Sequence, residues 1–293
     1  MMARKITCTN EDQISVLFTD RFTPWLLESC EGIYESKNNV STSVNTMTDG
    51  STLQGSTVAM RNIVLTLRDR PEADHQENRT LLYNLFKPKS GGVFIYEENK
   101  TVRKIGYEVE SIKVDGEKRS RRATISLLCP DPFFVDEKEN VVELAGWSAG
   151  FTWPHIFPMA GESFGSKAAE RIKTISNTSA ADHIGLTFTI QATGQATNPK
   201  ITLVEQNASI EIGTDGNPMN MLTGDKVIIT THTNNKHVYL ERGGVKTEIN
   251  EYLSEDSEFL QLMHGENTFG YSADSGDEYL DISIAFQYHY LGV

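Results

Sequence analysis

The feature that most constrains this chain is a strict alternation near its C-terminal end. Leu280, Ile282, Ile284, Phe286, Tyr288 and Tyr290 interleave with Asp281, Ser283, Ala285, Gln287 and His289. Successive side chains of a strand point to opposite faces, so this run suits a strand with one buried and one wet face. The same period recurs at Leu186, Phe188 and Ile190 and at Ala123, Ile125, Leu127 and Cys129. Shorter β-branched runs lie at 61–67, 107–114, 200–204, 209–212 and 226–231. Turn signals separate them: Asp115-Gly116, Asp215-Gly216-Asn217-Pro218, Thr223-Gly224-Asp225, Gly243-Gly244 and Ser275-Gly276-Asp277. Short strands at this spacing predict a mainly β chain of antiparallel sheets, in sandwich or barrel form.

One segment breaks the period. Asp74 and Glu77 sit at capping-box spacing, and Leu81, Leu82, Leu85 and Phe86 then recur as on one face of a helix. Pro88 restricts the residue before it and stops the run. A single helix of about three turns is therefore expected to pack on the first domain's sheet. The Cys129-Pro130-Asp131-Pro132-Phe133-Phe134 stretch reads as a boundary, because two prolines fix an extended link. Charge changes at the same place. Residues 1–133 hold 18 basic and 18 acidic side chains, whereas 134–293 hold 9 and 22. The expected domains are thus 1–133, a β domain with one helix, and 134–293, with an arm-like loop over 145–166.

The acidic half disfavours coating of nucleic acid or anionic membrane. No run approaches the apolar length of a membrane span, and the N-terminus has no apolar core of a signal peptide, so a soluble, non-exported protein is expected. Cys8, Cys30 and Cys129 are too few and too scattered for a disulfide framework or metal site, and read as reduced, partly buried thiols.

Motifs of catalysis, phosphate cradling and calcium binding are absent from the sequence, so no catalytic, cofactor or metal residue is expected. His232 and His237 lie close together but lack a third ligand at coordinating spacing, and read as turn histidines. The acidic pairs Asp136/Glu137 and Glu255/Asp256 read as solvated surface rather than a glycosidase pair. Two groups remain as contact candidates. Lys118, Arg119, Arg121 and Arg122 cluster just before a strand and could meet phosphate or an acidic partner. Trp147, Trp153, Phe157 and Phe164 could anchor an arm or an interface.

Two landmarks together carry a family resemblance. The first is the Cys129–Phe134 junction closing a β domain whose helix ends Leu85-Phe86-Lys87-Pro88. The second is the stretch Phe259-Leu260, His264-Gly265-Glu266-Asn267-Thr268-Phe269-Gly270-Tyr271, followed by the alternating strand that ends Tyr288–Val293. In this order they resemble the distal tail (Dit) family, a siphophage tail component of phages of Gram-positive bacteria. The resemblance implies a virion tail-tip protein, assembled in the host bacterial cytoplasm, whose N-terminal domains form a homo-hexameric ring. That ring would join the tail-tube protein to the baseplate or receptor-binding apparatus, with DNA passing only transiently through its lumen and no membrane contact. The C-terminal domain would be a galectin-like or carbohydrate-module-like sandwich, used for docking or, in the alternative, for binding host wall polysaccharide. The resemblance brings no catalytic residues with it, and the 145–166 stretch matches none of its features.

Overall fold

The structure is a computed structural model that describes residues 4–70, 74–115, 121–144 and 171–293, with the backbone of 147–149 and 165–167. The chain divides into two compact units, Met1–Glu137 with His289–Val293, and Lys138–Tyr288.

In the first unit seven strands follow one another round a closed ring. Their order is Thr101–Val114, Gly91–Glu98, Lys5–Asn10, Ser15–Thr19, Trp25–Glu31, Arg61–Asp69 and Arg122–Cys129, and the last pairs back to the first. Closure removes the free edges that an open sheet would present. The long Thr101–Val114 strand makes closure possible, because its first half pairs with Gly91–Glu98 and its second with Arg122–Cys129. All pairings are antiparallel except Ser15–Thr19 with Trp25–Glu31, which run parallel through Thr19 and Leu26. Phe134–Asp136 and His289–Tyr290 extend the sheet outward.

The helix His75–Leu85 forms where the capping spacing predicts. The Asp74 carboxylate accepts the amides of Gln76 and Glu77, satisfying two of the donors a helix start leaves open. Its apolar face enters the barrel: Leu82, Leu85 and Phe86 have no exposed surface. The Phe86 ring stacks on Phe18 and tilts against Tyr107, each at 6.2 Å between centroids. Trp25, also buried, donates its indole N–H to the Asn78 carbonyl at 3.0 Å and ties the helix to the wall.

The second unit is a sandwich. Its larger sheet runs Asn140–Glu143, Leu280–Phe286, Thr187–Ala192, Lys226–His232, Asn235–Arg242 and Val245–Glu248. Its smaller sheet runs Ile172–Asn177, Gly265–Ser272, Lys200–Leu203 and Ala208–Glu211. The predicted alternation is realised: Leu280, Ile282, Ile284 and Phe286 are buried, and the residues between them are not. The two sheets meet through residues such as Phe188 and Phe269, whose rings cross edge to face at 5.9 Å. The sequence reads as one strand through Tyr290, but the strand ends at Phe286, and His289–Tyr290 pairs in the first unit instead.

Asp225 braces the second unit. Its carboxylate takes the guanidinium of Arg242 and the Leu222 amide. Burial pushes this carboxyl up, but the Arg242 and Leu222 hydrogen bonds and the Arg242 charge outweigh burial and lower its pKa. A depressed folded pKa gives stability that is present above the unfolded value of about 3.9 and lost as pH falls through the folded one. Asp225→Asn is expected to cost about 2 kcal/mol at neutral pH. It should also flatten the acid limb of the second unit's stability curve, which urea titrations between neutral and acid pH measure. An unchanged acid limb would show that Asp225 does not carry it.

Candidate functional site

Strands Asn38–Val44 and Ser51–Val58 form a two-stranded hairpin that pairs with no other strand among the described residues. Every residue of the pair is exposed except Val58. Asp49 is its one ionisable side chain. One face is polar and self-bonded, with Gln54 on Ser43 at 2.8 Å and Thr52 on Asn45 at 3.2 Å. The other carries Val40, Val44 and Leu53, with Met47 at the tip 96% exposed. A lone hairpin is marginally stable in water, and an apolar face without charge tends to be covered by another surface.

The hairpin is rooted on Arg61. This residue is 5% exposed and makes no ion pair among the described residues; its guanidinium donates to the carbonyls of Pro132 at 2.9 Å, Glu35 at 2.6 Å, Gly32 and Leu291. It also lies 4.9 Å from the centre of the Phe134 ring. Burial lowers its pKa. Gly32 reaches this position because its backbone, at φ +84°, passes so close to Asn62 that a Cβ would sit 2.0 Å from the Asn62 oxygen. Arg61 therefore holds the hairpin root, the proline junction and the C-terminal segment to one point.

Of the predicted basic cluster, Lys118 and Arg119 lie outside the described residues. Arg122 heads its strand directly opposite Arg68, and Glu28 bridges the two, 2.8 Å from Arg122 and 3.5 Å from Arg68. Glu28 can do so because a bulge between Leu27 and Ser29 turns it outward. Arg121 offers its carbonyl to the Asp69 amide. Trp147 is described by its backbone alone, in a short strand pairing with Gly165–Lys167. Trp153, Phe157 and Phe164 lie outside the described residues.

Several of the titratable groups that the sequence singles out are held by neighbours. His232 lies 3.2 Å from the Thr187 hydroxyl and His237 lies 2.6 Å from Glu248. His237 stacks on Tyr239, whose ring already carries the Lys246 ammonium at 3.9 Å. Asp136 receives Arg103 at 2.6 Å. Burial pushes the Cys8 thiol up and takes Cys30 and Cys129 to about 12, far from a reactive thiolate. Among the described residues no three metal-ligating side chains come together.

Residues 21–129 match the family model described as phage tail protein RIFT-related domain, and residues 180–290 that of the siphovirus-type tail component, C-terminal domain. The chain belongs to the siphophage distal tail family. Both models fall in the order the family requires, one on each unit. Among solved structures the Dit protein of phage SPP1, described as a paradigm of hub adsorption apparatus in phages infecting Gram-positive bacteria, aligns with a TM-score of 0.67. That alignment covers 98% of this chain and 99% of that one at 11% identity. The activated, calcium-bound baseplate of phage P2 aligns with a TM-score of 0.55 at 10% identity, over all of both chains. The strontium-bound form gives 0.54 at 11%, over 99% of each. At these identities the likeness establishes the distal tail fold. No curated protein matches the sequence. Sequence reasoning alone found the family but passed over its most exposed element, the hairpin; Asp49-Gly50 between Thr- and Val-bearing segments was the signal that could have located it.

Proposed function

We propose that this distal tail protein is a non-enzymatic hub: residues 1–133 close into a hexameric ring, and residues 134–293 serve as its docking platform. The ring would join the tail tube to the baseplate or receptor-binding apparatus, let DNA pass through its lumen, and assemble in the host cytoplasm. The observation that carries this reading is the exposed hairpin with its apolar face of Val40, Val44 and Leu53. In a head-to-tail ring each copy offers one surface and receives a different one, and a projecting hairpin laid on the next copy supplies such a contact. The near absence of charge on the hairpin suits a contact repeated round a ring, where like charges would accumulate. The balanced charge of residues 1–133 suits it equally.

Replacing residues 39–57 by an Asn-Gly turn tests the reading. The root is already closed by the Ala59 amide on the Lys37 carbonyl at 2.7 Å, so the barrel should keep its melting temperature. The full-length chain should give a hexamer by light scattering and the shortened chain a monomer. A shortened chain that still assembles to the same mass would refute the hairpin's part in the ring.

A further inference from the structure

A second surface of the first unit is built for contact and is not used by the hairpin. Three segments converge at one rim of the barrel. Trp25 pairs with Asp69, Arg68 pairs with Arg122, the Arg70 amide donates to Pro24, and the Asp69 amide donates to Arg121. The rim therefore gathers Arg21, Arg68, Arg70, Arg121 and Arg122. Against these five arginines stand three exposed or half-buried carboxylates. Asp20 lies beside Arg21 at 3.8 Å, and Glu28 is shared by Arg68 and Arg122. The third is Asp115, whose amide donates to the Arg122 carbonyl and whose side chain lies 3.6 Å from Lys113. The Asp69 carboxylate is turned inward onto His75 and Asn78. Arg70 and Arg121 have no carboxylate partner among the described residues. Beyond Glu28 the surface turns acidic, with Asp20, Glu28 and Glu98 lining a cleft of about 260 Å³ together with Arg4, so the arginine-rich patch has a limit.

In the same rim Phe22 stands 89% exposed. Its backbone is left-handed, φ +63°, a conformation that bulky residues rarely adopt. The loop does not hold this shape by default. The buried Thr19 hydroxyl donates to the Arg21 carbonyl and accepts the Arg21 amide at 3.2 Å, and the Thr23 hydroxyl donates to the Trp25 carbonyl at 2.7 Å. Both sides of Phe22 are braced, so the ring is presented outward on a fixed support. A phenyl ring 89% exposed on a loop fixed in this way is open to contact by another surface.

We propose that Phe22 and the arginines around it form a docking face for a carboxylate-rich protein surface with an apolar socket, carried by a neighbouring tail protein. Arginine and aromatic side chains are the residue types that anchor protein interfaces, and the ring enters the socket while the arginines meet the acids around it. Nucleic acid fits less well. Phosphates would approach Asp20 and Glu28 as well as the arginines, and a duplex backbone offers no socket for a phenyl ring. The proposal rests on the reading of this chain as a tail protein, and it concerns a surface distinct from the hairpin.

The test uses assembled particles in which Phe22 is replaced by the photo-cross-linking residue p-benzoylphenylalanine. Irradiation followed by mass spectrometry of the cross-linked peptide identifies what touches position 22. The expected product joins residue 22 to an Asp- and Glu-rich segment of another tail protein. The double charge reversal Arg70→Glu with Arg121→Glu should lower its yield at least tenfold. Phe22→Gly should weaken incorporation of the chain into particles without lowering the melting temperature of the isolated chain, because glycine accepts a positive φ. A chain present in the particles that gives no cross-link, or gives one to DNA or to a segment without carboxylates, overturns this proposal alone. An unsubstituted chain missing from the particles overturns it together with the hub reading.

Discussion

Arg61→Met is expected to lower the stability of the first unit by about 3–5 kcal/mol, because buried carbonyls that lose their donor bear a desolvation cost of roughly 1–3 kcal/mol each. Four carbonyls share this one guanidinium, those of Gly32, Glu35, Pro132 and Leu291. Methionine keeps an unbranched apolar stem but lacks the guanidinium that lies over Phe134 and donates nothing. For a unit of this size the loss corresponds to a fall in melting temperature on the order of 10 °C or more. Arg61→Lys should recover little, since a compact ammonium cannot reach four acceptors spread around a planar fork. Calorimetry of the full chain reads the loss, and hydrogen exchange locates it. Protection should drop in the hairpin root and in residues 289–293, and the second unit should keep its own transition. A cost below about 1 kcal/mol would mean that water replaces the guanidinium freely. Arg61 would then be a bystander rather than the tie between these segments.

Phe86→Ala is expected to cost about 3–5 kcal/mol, the range for emptying a buried phenylalanine site. Its ring has no exposed surface and lies between Phe18 and Tyr107 where the helix ends inside the barrel. The backbone there is fixed from both sides, with the Phe86 amide on the Leu82 carbonyl at 2.8 Å and Pro88 two residues on. The site therefore cannot collapse by unwinding a turn, and a cavity remains. Phe86→Leu should cost markedly less, because it refills part of the volume. Urea denaturation of both variants checks the ordering. Equal losses for the two would indicate that the helix end, rather than ring packing, sets the energy.

The parts of this fold that the sequence discloses are those where one local period decides the outcome. Leu280–Phe286, Thr187–Ala192 and Arg122–Cys129 each have a buried and a wet face, and alternation marks them. The helix is equally local, with Asp74 to start it and Pro88 beyond its end. The hairpin escaped because both its faces are exposed, so Ser, Thr and Asn occupy positions that a half-buried strand would fill with larger apolar residues. Lys5–Asn10, Ser15–Thr19 and Trp25–Glu31 carry short or interrupted patterns, the last broken by the bulge at Glu28. Alternation through Tyr290 could not reveal that the chain leaves its strand after Phe286, because the side-chain pattern continues across the break. The Arg61 site was illegible for another reason. Its acceptors lie from 26 to 230 residues away, so no spacing in the sequence brings them together. The basic cluster was legible as charge, but not as a rim organised by Glu28 and crowned by Phe22.

The measurement that bears most directly on the central claim is electron microscopy of the purified full-length chain in negative stain, at a concentration where light scattering reports its assembled mass. The account predicts closed rings of six copies with an open centre. Monomers at every concentration, or closed dimers without a central opening, would contradict it.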